Sequence, residues 1–162
     1  MRKTVIILAG LIILISCEKE NNIRIDKELI SELNSKSYDT LIIESNRFVL
    51  DAFLWRDFMP KSPPDGKPMI SVNWLIEVDS IKIPDNIDLI KQHVIYNDLI
   101  WISKYENESR PTQPVYKIEK ISREGPKWGP EIYVDVISKV RDSNTNNVYY
   151  IRIKNVHVGR TY

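Results

Sequence analysis

The sequence has one cysteine, two histidines and no long apolar segment. A single cysteine forms no intrachain disulfide, so any core must hold without a covalent cross-link. Cys17, His93 and His157 are too few to supply the ligand set of a structural zinc site. Basic and acidic residues nearly balance, 23 against 22, which leaves no basic field for nucleic acid. The longest apolar run, Val5–Ile15, is about a dozen residues, whereas a spanning helix needs about 20. Gly66-Lys67 stands without a P-loop, no G-x-G-x-x-G occurs, and the G-x-S-x-G elbow of serine hydrolases is missing. No cofactor is expected.

What is present begins at the N-terminus. Arg2 and Lys3 precede the apolar run, and Leu14-Ile15-Ser16-Cys17 follows it. A basic start, an apolar core and a small residue before the cut describe a secretory signal. Leu-Ile-Ser-Cys also resembles the lipobox of bacterial lipoproteins, where cleavage precedes the Cys and acyl chains are attached to it. The resemblance implies a signal peptide at 1–16 and a lipidated Cys17 that opens the mature chain and attaches it to a membrane. A plain secretory peptide and an N-terminal anchor helix are the alternatives; the length and flanks of the run disfavour the second. Each buried methylene contributes about 0.8 kcal/mol, so a multiply acylated Cys anchors stably where one chain does not. Cleavage removes Arg2 and Lys3, so 21 basic residues face 22 acidic ones and the formal charge is −1. Glu18 follows Cys17, where Asp would retain some Gram-negative lipoproteins at the inner membrane. The expected address is the outer membrane of a bacterial envelope, with the periplasmic or surface face open. Glu18-Lys19-Glu20 loosely resembles surface-export tracts and also reads as a solvated spacer.

Residues 17–37 read as a lipidated N-terminus and tether. Leu29, Ile30 and Leu33 share one helical face and Asp26 is placed to cap it, so one short helix packed on the domain and a loose stalk are both open. From Tyr38 the period is two. Ile70, Val72, Trp74, Ile76 and Val78 alternate with Ser71, Asn73, Leu75 and Glu77, which predicts a strand with an apolar face. Ile132–Val140 and Tyr149–Lys154 predict two more. Weaker strands are expected at 40–44, 47–58, 93–96, 99–104 and 116–122. Turn-rich runs such as KSPPDGKP, RPTQP and EGPKWGP separate them. Short strands punctuated in this way predict an all-β domain over 38–162, a single immunoglobulin-like antiparallel β-sandwich with one core.

In the strand that runs into FLWRDFMPKSPPDG, Phe48, Leu50, Ala52, Leu54, Arg56 and Phe58 fall on one side. That side is almost wholly apolar and should face the core. Arg56 then points inward at the strand end and needs a carboxylate or carbonyls on a neighbouring segment. Asp57 points the other way and is free to cap the turn.

FLWRDFMP, SPPDGKP, EKISREGPKWGPEIYVDV and GRTY resemble a widespread set of small, uncharacterised bacterial lipoproteins. The strings span most of Phe48–Tyr162. The resemblance implies an immunoglobulin-like β-sandwich and a secreted or lipid-anchored location, and it implies no activity.

Catalytic patterns are thin. Asp142, Asn144 and Asn146 begin like a calcium loop, but position six is Asn147 and position twelve Ile153, and a hairpin loop accounts for the same residues. His157, in VHV, and His93, placed at the start of a strand, read as ordinary strand histidines. Glu106 and Glu108 form a carboxylate pair in a polar loop. Trp74 reads as core, Trp101 fits either face, and Trp128 in GPKWGP reads as an exposed tip or as a plug at the sandwich end. The expected function is therefore a non-catalytic binding or structural module of the envelope, with a protein or glycan ligand and no nucleic acid. An accessory protein that docks a strand or loop is the alternative, and a small hydrolase a distant third. Loops at one end of the sandwich would carry the site, and Trp55, Arg56, Asp57, Arg110 and Trp128 are the candidate residues.

Overall fold

The computed structural model describes residues 21–106 and 113–162. Cys17, Glu108 and Arg110 lie outside the described residues. The elements run β1 (Asn21–Ile25), α1 (Lys27–Lys36), β2 (Ser37–Tyr38), β3 (Thr40–Ile43), β4 (Asn46–Asp57), β5 (Ile70–Glu77), β6 (Ile87–Tyr96), β7 (Leu99–Lys104), β8 (Lys117–Ser122), β9 (Ile132–Asp142) and β10 (Val148–Thr161).

The chain is mostly β, as its period-two runs predict. The strands make one mixed sheet in the order β1-β7-β6-β9-β10-β4-β5-β8, with β2 beside β10 and β3 beside β4. The pairing was expected to be antiparallel throughout. Instead β10 runs parallel to β4 and to β2. The two leaves expected of a sandwich are here two wings of one ladder joined through β10. A register shift after Ile153 marks a bulge in β10, and a bulge bends its strand. The sheet curls into a half-barrel. Past the end of β7, Glu106 bridges Ile121 of β8, and Ser122 Oγ donates to Lys104 O at 3.1 Å.

One core fills the curl. Phe48 and Leu54 of β4, Leu75 of β5, Val94 of β6, Trp101 of β7, Val136 of β9 and Ile151 of β10 are fully buried in it. The inward row of β4 is the expected one, Phe48, Leu50, Ala52, Leu54 and Arg56. β5 reverses expectation. Its register sets Ser71, Asn73 and Leu75 opposite Leu54, Ala52 and Leu50, so the mixed face turns in and Trp74 turns out, half-buried. The reason lies in the interior. Asn73 Nδ2 donates to Ser71 Oγ (2.8 Å) and Gln92 Oε1 (2.7 Å), and Gln92 Nε2 donates to Ser103 Oγ (3.0 Å). Buried polar groups that find partners cost little.

The outer face of β6, β7 and β9 carries α1. A ten-residue helix is marginal alone, and packing holds this one. Asp26 caps it, accepting from Leu29 N at 2.9 Å. Leu33 is buried against Ile95, Ile100 and Ile137, with Leu29 and Ile30 beside it. β1 pairs with β7 along all five of its residues. From Asn21 onward, the stretch expected as a tether is thus part of the packed domain.

Trp101 is 0% exposed and rests on Gly125, where an added Cβ would lie 2.7 Å from the indole and 2.9 Å from Met69 O. We expect Gly125→Ala to cost on the order of 2 kcal/mol in urea unfolding. Gly159→Ala, whose nearest neighbour is 3.7 Å away, should stay within about 0.5 kcal/mol.

Candidate functional site

Arg56 is the last inward residue of β4 and 3% exposed. Its guanidinium is met by four backbone carbonyls. Nε donates to Lys67 O (3.0 Å), Nη1 to Lys127 O (3.0 Å) and Gly129 O (2.6 Å), and Nη2 to Asp65 O. One side chain thereby ties the turn after β4 to the GPKWGP loop. The Phe58 ring lies 5.1 Å from the guanidinium of Arg56 and 4.2 Å from that of Arg160. Gly66 makes room for that ring: its φ is +75° and an added Cβ would fall 2.5 Å from Phe58 Cζ. Asp57 faces away and accepts from Lys67 Nζ (2.7 Å) and Met59 N (2.8 Å). The Lys67 hydrogen bond leads the causes that hold its carboxyl below the usual range.

Trp128 sits between two of the carbonyls that Arg56 holds. Its ring is 5.9 Å from Tyr96, and it packs half-buried on the core. Trp55 projects from the outer face of β4, stacked on Phe53 at 5.2 Å. The structure therefore turns Arg56 inward towards the Trp128 loop and sets Trp55 and Asp57 on the outer side of the same strand end, and Arg110 lies outside the described residues. Four of the five guanidinium N–H donors of Arg56 are engaged by backbone carbonyls.

Sequence reasoning missed the seam. Where β7 ends, a cleft of about 480 Å³ opens, lined by Asp88, Lys104, Tyr105, Glu106, Lys120 and Arg141 among others. Lys120 Nζ reaches Asp88 at 2.9 Å, and Arg123 pairs with Glu106. Tyr105 Oη meets Ser138 Oγ at 2.6 Å, and burial pushes its phenol above the usual range. Within the core, Asn73 Oδ1 and Trp101 Nε1 lack a hydrogen-bond partner among the described residues. For the polar interior the signal was available as Ser71 and Asn73 at alternate positions of β5, with Gln92 on β6 and Ser103 on β7.

β6 begins at Ile87, so His93 lies inside a strand and not at its start. The ring is buried beneath α1, with Nδ1 3.3 Å from Ile137 O. Burial pushes its pKa down to about 4, and nearby Lys91, Lys139 and Arg24 act in the same direction. His157 is more exposed, its Nε2 2.9 Å from Glu131 Oε2. Asp142 closes the β9–β10 hairpin, accepting from Asn86 Nδ2 (2.6 Å), Asn144 N (2.9 Å) and Thr145 Oγ1 (2.7 Å). Among the described residues, no three His, Cys, Asp or Glu side chains gather to hold a metal ion. No described helix is long and apolar enough to cross a membrane. Comparison with protein-family models, with curated proteins and with solved structures returns no match.

Two predictions follow from these environments. Arg56→Lys concentrates the charge on one nitrogen that cannot reach four carbonyls on two loops, and should cost on the order of 3 kcal/mol in urea unfolding. His93 is held neutral in the folded chain, whereas the unfolded chain takes up a proton near pH 6.5. Stability should therefore fall by on the order of 3 kcal/mol as pH drops from about 6.5 to 4. Unfolding at several pH values in that window should show His93→Leu lacking this share of the slope.

Proposed function

We propose that this chain is a lipid-anchored, non-catalytic module of the bacterial envelope, attached to the outer membrane through acylated Cys17. The observation that carries the proposal is the constellation Arg2-Lys3, Val5–Ile15 and Leu14-Ile15-Ser16-Cys17 at the N-terminus. The proposal includes the resemblance to the small envelope lipoproteins and their immunoglobulin-like domain. In its favour, β6-β7-β9 and β4-β5-β8 contribute to a single core as two leaves of a sandwich do, with β10 serving both. Candidate ligands are a protein or a glycan.

A second reading, an accessory protein that accepts a strand from a partner, is favoured by β8. It pairs with β5 on one edge, and among the described residues its other edge carries only the bridge to Glu106. Added strands use such edges.

Labelled palmitate tests the anchor. Full-length protein in a bacterial host should incorporate label and fractionate with membranes. Cys17→Ala should lose both properties; a Cys17→Ala protein that still takes up label refutes the anchor.

A further inference from the structure

The sheet register brings like charges side by side. Lys91 of β6 lies opposite Lys104 of β7 on one flank and opposite Lys139 of β9 on the other. Residues directly paired across strands project on one face with Cβ atoms about 5 Å apart, and like charges so placed repel. Arg141, two residues beyond Lys139 on β9, projects on the same face. Lys91, Lys139 and Arg141 form no salt bridge among the described residues, although Lys104 is engaged elsewhere. Two acids at this end of the sheet are committed. Asp88, opposite Arg141 in register, holds Lys120, and Glu106 holds Arg123. His93, two residues from Lys91, is neutral under its burial. The row thus asks for an anion from outside the domain.

The chain supplies one by position. β1 starts opposite the end of β7, Asn21 facing Ser103, one residue from Lys104 and hence beside the row. Only Cys17–Glu20 precede Asn21 in the mature chain. Four residues span at most about 14 Å, less than two screening lengths at physiological salt, each about 8 Å. An acyl anchor at Cys17 therefore keeps the membrane close to the end of β7, where this row lies.

We propose that the face bearing Lys91, Lys139 and Arg141 lies against anionic phospholipid headgroups, so that the domain is apposed to the membrane and does not stand off on a stalk. This rests on the lipid-anchor reading above, and its test does not depend on cellular acylation. Cys17 is the only cysteine, so the mature chain, residues 17–162, couples through it to a maleimide lipid in vesicles. The vesicles contain either phosphatidylglycerol or phosphatidylcholine alone. Lysines are then acetylated briefly and the sites quantified. Lys91 and Lys139 should label about fivefold less on phosphatidylglycerol than on phosphatidylcholine. Lys61, on the turn after β4 at the far end of β10 from Lys139, should label equally on both. A ten-residue Gly-Ser insertion after Glu20 should relax the protection. Equal labelling of Lys91 and Lys139 on the two vesicles overturns the proposal, whatever the palmitate experiment shows in cells.

Discussion

The pole of this half-barrel depends on one guanidinium. Arg56 stands at the end of an otherwise apolar row and gives four of its five donors to the carbonyls of Asp65, Lys67, Lys127 and Gly129. A buried charge is tolerated when its hydrogen bonds are made. Here it also settles two loops that regular pairing leaves free. Those bonds act together with the Lys127–Asp65 ion pair at 2.7 Å and the Trp128–Tyr96 ring contact at 5.9 Å, and without them the carbonyls on either side of Trp128 would lose this partner. The charge that suggested a ligand site is consumed in holding the scaffold together, and Phe58 and Gly66 are shaped to let it do so.

A second constraint is the polar interior. A curled sheet surrounds a narrow space, and β5 fills its share with Ser71, Asn73, Leu75 and Glu77. A hydrogen bond from Asn73 to Gln92 joins β5 to β6 across the space, which apolar contacts alone would not fix in register. The cost appears on the outside, where Trp74 lies half-buried with its Nε1 bonded to Glu119 at 2.6 Å and Lys117 over its ring at 4.5 Å. Phe53 and Trp55 stack on that same outer side.

Much of this was legible in the sequence, for reasons that differ by element. β4 could be read because Phe48, Leu50, Ala52 and Leu54 leave only one face for the core. The α1 cap could be read because Asp26 stands three residues before Leu29. β5 misled because its more apolar face is the outer one: hydrophobicity ranks faces, but register decides which turns inward. The placement of Arg56 was legible and its partners were not, since carbonyls on two distant loops have no side-chain signature. The lysine row was invisible for the same reason. Lys91, Lys104 and Lys139 are scattered in the chain and become neighbours only through pairing. The parallel β10–β4 ladder had no local signal at all.

That ladder sets a timetable. The side chains of Thr161 on β10 and Asp57 on β4 are joined across 104 residues of chain. Ribosomes add roughly 5–20 residues per second, so β4 waits on the order of 5–20 s for its partner to be synthesised. Until then the two wings have no common strand and the curl cannot close. The same delay keeps the row Phe48–Leu54 open to chaperones, and to aggregation, until β10 has been made.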